Sequence, residues 1–195
     1  DRPAWLVARA ATLPPAEGAP LALEAALYFD LAGDLEQAAA AAMRAAADVS
    51  EPLAPVFVER YALEGVGADE LVASLAERAS QATTAVERRE HYERVAELEL
   101  RGRHDGPGAL SWLQQILLDA PDDLPTLHRI ERILIAARAA TALEPVAIAV
   151  AQALDGAEAG AHAMLAARLR YRAGAWDEAF VPTQIAYAKQ PTSIW

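Results

Sequence analysis

The chain has 195 residues, of which 54% are hydrophobic and 23% are charged, a balance too apolar for a disordered chain and too evenly charged for a membrane-embedded one. No apolar stretch reaches the roughly 18 to 20 residues needed to cross a bilayer, so we expect no membrane insertion. The formal net charge of −11 repels phosphate backbones and makes nucleic acid a poor partner, while the absence of cysteine excludes disulfides and thiolate chemistry.

Apolar residues recur at spacings of three and four almost everywhere, and proline and glycine separate the resulting segments. This pattern predicts an all-α protein. Asp34, Asp69 and Asp122 are placed where helix N-caps are needed, and the short connections indicate antiparallel helix hairpins. In chain order, the predicted helices cover 3–12, 20–32, 34–48, 52–64, 69–81, 84–102, 108–119, 123–139, 142–154, 158–173 and 176–189.

The turns inside these hairpins repeat at a nearly constant distance. They are predicted at Gly33, Gly67, Gly102, Ala140 and Gly174, separated by 34, 35, 38 and 34 residues. A fixed period of this length with two helices per unit is typical of a helical repeat array. Small residues at the helix crossings then let neighbouring hairpins approach and bury a continuous core.

Two stretches, 160–191 and 20–48, carry the most specific repeat pattern. The last unit has Gly174, Trp176, Asp177, Glu178, Ala179, Ala186 and Pro191 in register, preceded by Ala167; the first has Ala26, Phe29, Gly33, Leu35, Ala38 and Ala45; Ala79 and Pro121 match in between. This pattern resembles the tetratricopeptide repeat family. The Gly-Pro-Gly insertion at 106–108 and Pro145 depart from it, and a generic helical array is the alternative.

The resemblance implies a right-handed α-solenoid of about five antiparallel helix hairpins, forming a single domain over 1–195. The odd ending, with Thr192 and Ser193 at a possible helix start, indicates a fragment of a longer repeat protein. No family-type Lys/Asn carboxylate clamp is expected, because the chain has a single lysine, Lys189, and no asparagine.

Family members bind ligands on the concave face formed by the first helix of each pair. Carrying those positions over gives Phe57, Tyr61, Tyr92, Glu99, Ile130, Leu134, Met164, Arg168, Tyr171 and Arg172. For Phe57, Ile130, Leu134 and Met164 we favour packing inside the stack. The predicted partner-binding residues are therefore Tyr61, Tyr92, Arg168, Tyr171 and Arg172, since aromatic and arginine side chains often anchor interfaces. Arg168 and Arg172, four residues apart, could hold an acidic group between them.

No common catalytic motif occurs in the sequence. His91, His104, His128 and His162 belong to separate predicted hairpins, and we assign them no role. The mixed charges of 87–94 indicate a solvated helix face with weak ion pairs. We therefore predict no catalytic residue, no metal site and no cofactor.

The sequence favours a non-catalytic scaffold that binds a partner protein or peptide. One alternative is a self-association module whose end faces, near Trp5 and Trp195, stack with other copies. A more remote alternative is an enzyme with an unfamiliar helical active site. The compartment stays open.

Overall fold

The computed structural model describes residues 2–48 and 51–189. Helices make up 79% of these described residues, which form eleven helices and contain no strand. The prediction of an all-α protein is confirmed. The helices are α1 (Arg2–Ala10), α2 (Pro15–Leu31), α3 (Leu35–Ala46), α4 (Ala54–Leu63), α5 (Ala68–Gln81), α6 (Ala85–Arg101), α7 (Gly106–Asp119), α8 (Leu124–Ala136), α9 (Ala140–Ala153), α10 (Gly156–Arg172) and α11 (Phe180–Lys189).

The chain divides into two compact units, Asp1–Ala109 and Leu110–Trp195. In the first unit each helix from α1 to α6 packs against the next, and α4 also contacts α6. In the second unit α8, α9, α10 and α11 pack in the same consecutive way, and α9 also contacts α11. Within 2–48 and 51–189, no helix has the length and apolar character needed to span a membrane.

Alanine forms much of the core of the first unit, where α2 packs against α3. The buried alanines of this contact include Ala25 and Ala26 from α2 and Ala38 and Ala42 from α3, all with no exposed surface. Each buried methyl group contributes about 0.8 kcal/mol, and its small size lets the helices approach closely. Ala26 and Ala38 are two of the small residues that we predicted to pack between helices, and both are buried.

The start of α2 shows how packing moves a helix boundary. We predicted a start at residue 20, but the helix begins at Pro15, which suits a first helical position, and it continues through Pro20. A Cβ atom at Gly18 would lie 2.6 Å from the carbonyl oxygen of Ala10. Close contact with the end of α1 therefore holds the early residues in the helix.

The first helices of four hairpins, α2, α4, α8 and α10, end in the same way. Each is followed by a left-handed residue, and the next N–H donates to a carbonyl five residues earlier, which defines a Schellman motif. The left-handed residues are Gly33, Gly65, Arg138 and Gly174, and the bonds join Asp34 to Phe29, Val66 to Tyr61, Ala139 to Leu134 and Ala175 to Arg170.

The turn residues predicted at Gly102 and Ala140 are displaced from the observed turns. Gly102 has a right-handed backbone with φ of −79°, and the left-handed residue after α6 is His104. A Cβ atom at Gly102 would collide with the carbonyl oxygen of Ala62. Glycine is required there by the approach of α4 rather than by turn geometry.

Of the three aspartates predicted as helix N-caps, only Asp34 acts as one. Asp34 caps α3 by accepting from the N–H of Gln37 at 3.1 Å. Asp69 lies inside the first turn of α5, and Asp123, not Asp122, caps α8. Thr84 and Glu87 form a reciprocal capping box at the start of α6, a signal that our sequence analysis missed.

The last helix begins at residue 180 rather than the predicted 176. Pro182 has no N–H to donate to the carbonyl of Glu178, which would be its helical partner. The guanidinium of Arg170 donates to that carbonyl instead, at 2.8 Å. Residues 176–179, which we predicted as the start of this helix, consequently form a turn. The predictions for Pro191, Thr192, Ser193 and Trp195 lie outside the described residues.

Candidate functional site

A groove beside α10 in the second unit gathers three of the predicted partner-binding residues. This α10 groove has a volume of about 270 Å³ and is lined by Met164, Ala167, Arg168, Tyr171, Arg172, Ala179 and Thr183. The lining residues that belong to α10 are spaced three or four apart, which places them on one face of that helix. The hydroxyl of Thr183 donates to the carbonyl of Ala179 at 2.8 Å, which ties the start of α11 to the preceding turn.

The cationic groups of the α10 groove are Arg168 and Arg172. Both side chains are exposed, and neither has an ion-pair partner among the residues that the structure describes. Arg170, between them in sequence, points elsewhere and pairs with Glu144 at 2.8 Å. The two groove guanidiniums therefore offer their N–H donors to an external acceptor.

An exposed aromatic pair adjoins these two arginines. The ring of Tyr171 lies 5.2 Å from that of Trp176, with an angle of 34° between their planes. The two residues are 59% and 65% exposed. Rigid aromatic surfaces of this kind supply large contact areas at low entropic cost. The combination suits an apolar segment that carries a carboxylate.

Tyr61 lies in the core of the first unit. The residue has no exposed surface, and its ring centroid lies 6.3 Å from that of Phe57. Burial raises the pKa of the Tyr61 phenol, and the nearby carboxylate of Asp30 adds to the effect. We leave Tyr61 out of the binding surface proposed below, because a partner on the surface cannot reach the ring.

The remaining carried-over positions differ in their surroundings. Tyr92 is half-buried on α6, in the first unit. Glu99 is buried on the same helix and accepts from the guanidinium of Arg103 at 2.8 Å. Ile130 and Leu134 are buried in α8, which confirms the interpretation that they pack inside the fold.

A second cluster joins α8 to α10 through His128, Glu131 and His162. Nδ1 of His162 lies 2.9 Å from one oxygen of Glu131, and Nδ1 of His128 lies 3.5 Å from the other. The Glu131 side chain is 8% exposed, against 17% for His162 and 36% for His128. One ligand atom from each residue falls within 4.8 Å of the others.

Our sequence analysis assigned His128 and His162 to separate hairpins and gave them no role. Two signals were nevertheless present. The histidines are 34 residues apart, one repeat period, and each lies 12 residues before a predicted turn. His128 and Glu131 are also three residues apart, which puts them on one helix face. Only the packing of α8 near α10 shows that the three side chains meet.

No protein-family model matches the chain, and no curated protein matches it either.

Proposed function

We propose that the chain is a non-catalytic interaction scaffold of the tetratricopeptide repeat type, a right-handed α-solenoid that binds an acidic segment of a partner protein or peptide in the α10 groove. The observation that carries this proposal is the pair of unpartnered guanidiniums, Arg168 and Arg172, beside an exposed aromatic pair. The repeated Schellman ends of α2, α4, α8 and α10 support the repeat architecture.

The chemistry of the groove selects a carboxylate. Arginine presents a planar fork of N–H donors that pairs with carboxylates through two parallel hydrogen bonds. Arg168 and Arg172 lie one helical turn apart, so one acidic side chain or two neighbouring ones can be held at the same time. Met164 and Tyr171 provide apolar surface for the residues next to the acid.

The overall charge of −11 opposes the approach of an acidic partner, whereas the local arginines favour it. The nearby arginines have the larger effect, because at physiological ionic strength counterions largely screen charges that are more than about 8 Å away. A bound carboxylate therefore interacts mainly with Arg168 and Arg172. The distant acidic surface lowers the association rate more than it weakens the bound state.

The proposal is tested with a random peptide library selected against the full 195-residue chain. We expect enrichment of peptides that combine acidic with aromatic or aliphatic residues. The double variant Arg168→Glu with Arg172→Glu should bind them about tenfold or more weakly, because each charge-assisted hydrogen bond contributes about 1.5 to 3 kcal/mol.

A matched control carries the same change in net charge elsewhere. Arg9→Glu with Arg78→Glu reverses two exposed arginines in the last turns of α1 and α5, as Arg172 is in the last turn of α10. This control should bind the selected peptides as the wild type does. Equal binding by the groove variant, or equal weakening in both variants, would contradict the proposal.

Self-association is a second candidate function, favoured by a specific observation. The last hairpin exposes large apolar side chains in addition to the aromatic pair, including Phe180 at 62% and Tyr187 at 63%, and Trp5 on α1 is 61% exposed. Exposed apolar surface of this kind can pack against a second copy. Trp195, the other residue of this hypothesis, is outside the described residues.

A further inference from the structure

The cluster of His128, Glu131 and His162 is chemically different from the α10 groove and shares no residue with it. Two imidazoles from α8 and α10 face the two oxygens of one carboxylate. We propose that these three residues form a binding site for a divalent transition-metal ion, with Zn²⁺ as the best match. This inference goes beyond the proposed function and does not depend on it.

The donor set fits Zn²⁺. Imidazole nitrogen and carboxylate oxygen are both common zinc ligands, and two histidines with one glutamate is a known three-ligand set that leaves a fourth position for water. Tetrahedral bonds of about 2.0 to 2.1 Å separate neighbouring ligand atoms by about 3.3 Å. Nδ1 of His162 lies 2.9 Å from one Glu131 oxygen and Nδ1 of His128 lies 3.5 Å from the other, and one ligand atom from each residue lies within 4.8 Å of the others. Rearrangement of the side chains on binding would have to bring these atoms to about 3.3 Å from one another.

The burial of Glu131 also supports a bound metal ion. A glutamate is rarely as buried as Glu131 unless its charge is compensated. The side-chain contacts that the structure gives for Glu131 are to His128 and His162. An imidazole compensates a carboxylate fully only when it is protonated, whereas a divalent ion compensates it with both imidazoles neutral. The depth of Glu131 is therefore better explained by a bound cation than by two histidines alone.

A bound metal ion would also stabilise the fold of the second unit. Glu131 and His128 belong to α8, while His162 belongs to α10, so a metal bound by all three would link the first helices of two successive hairpins. The ion would bind the folded second unit but find no preformed site in the unfolded chain. Metal binding should consequently raise the unfolding temperature.

The test measures Zn²⁺ binding to the full chain by titration calorimetry in a non-chelating buffer. We expect one ion per chain, together with a rise in unfolding temperature that a chelator reverses. Loss of a partner that merely orients a metal ligand costs 10- to 100-fold in affinity. Glu131→Gln and His162→Gln each remove a direct ligand and should weaken binding by about 100-fold or more.

Two further variants keep the test decisive. His128→Gln changes the most exposed ligand of the three, so it should leave the fold intact, as judged by circular dichroism, and still lose the site. His104→Asn changes an exposed histidine outside the cluster, and asparagine tolerates its left-handed backbone. This control should bind as the wild type does.

Two kinds of result would contradict the proposed Zn²⁺ site. Absence of Zn²⁺ binding by the wild type would show that the cluster is only a hydrogen-bonded contact between helices. Binding that is unchanged in the folded His128→Gln variant, or weakened equally by His104→Asn, would show adventitious binding at surface histidines. Either result overturns the proposed site, and neither affects peptide binding in the α10 groove.

Discussion

Tyr61 carries a hydroxyl group that is buried in the core of the first unit. Its ring packs among buried side chains of the first unit, including Leu6, Ala25 and Val58. Within the described part of the chain its hydroxyl has no hydrogen-bond partner. A buried hydroxyl without a partner costs free energy, since it has given up its bonds to water. The apolar contacts of the ring must outweigh that cost.

Replacement of Tyr61 by phenylalanine should therefore stabilise the protein by about 1 kcal/mol. The wild type should also lose stability as the pH rises above 10, because the pKa of Tyr61 is raised from 10.0 in the folded state and the unfolded chain ionises first. The variant should lack that part of the alkaline loss. Urea denaturation at neutral and alkaline pH measures both effects.

Tyr187→Phe is the control for this experiment. Tyr187 is 63% exposed, so loss of its hydroxyl should change the stability little at either pH. A Tyr61→Phe variant less stable than the wild type would show that its hydroxyl makes a favourable contact, which would contradict the interpretation.

At the scale of helices, close approach is determined by residues with small or absent side chains. Gly102 ends α6 with a right-handed backbone, where alanine would ordinarily be preferred by about 1 kcal/mol. The carbonyl of Ala62 occupies the space that a Cβ atom would need. Backbone preference and steric contact therefore act in opposite directions at this position.

We expect the steric effect to prevail in Gly102→Ala. Overlap with backbone cannot be relieved by a side-chain rotation, and overpacking costs about 1 to 3 kcal/mol. The variant should be less stable than the wild type, by up to roughly 2 kcal/mol after the gain in helix preference is subtracted. Thermal or urea unfolding provides the measurement.

Gly33→Ala separates the two causes. Gly33 has φ of +77° and nothing within 4 Å of an added Cβ atom, so its cost of about 1 to 2 kcal/mol comes from the backbone alone. A Gly102→Ala variant more stable than the wild type would show that α4 and α6 can move apart without penalty.

At the scale of the whole molecule, the scaffold and self-association hypotheses predict different masses in solution. The scaffold hypothesis predicts a monomer of 20.8 kDa across a range of concentrations, which sedimentation velocity can measure. The strong negative charge favours this outcome, since it keeps copies apart. We therefore expect no increase in mass with concentration.

A mass that rises with concentration would support self-association instead. Trp176→Ser with Phe180→Ser should then restore the monomer, because these residues supply much of the exposed apolar surface of the last hairpin. Trp5→Ser separately tests the contribution of α1.

Much of the fold could be predicted from the sequence, because helix formation follows from patterns within about a dozen residues. All eleven described helices were predicted, as were the cap at Asp34 and the turns at Gly33 and Gly174. Arg168, Tyr171 and Arg172 were predicted by carrying over groove positions from the family resemblance, and the structure places the three in one groove. The repeat family itself stays a prediction.

Tertiary structure decided what depends on residues far apart in the chain. The early start of α2 and the glycine at Gly102 depend on contacts with neighbouring helices. Tyr61 was predicted as a surface anchor, but packing buries it. The meeting of His128 and His162 at Glu131 spans more than 30 residues. Local periodicity determines which face of a helix is apolar, whereas only packing determines which side chains from different helices share the same space.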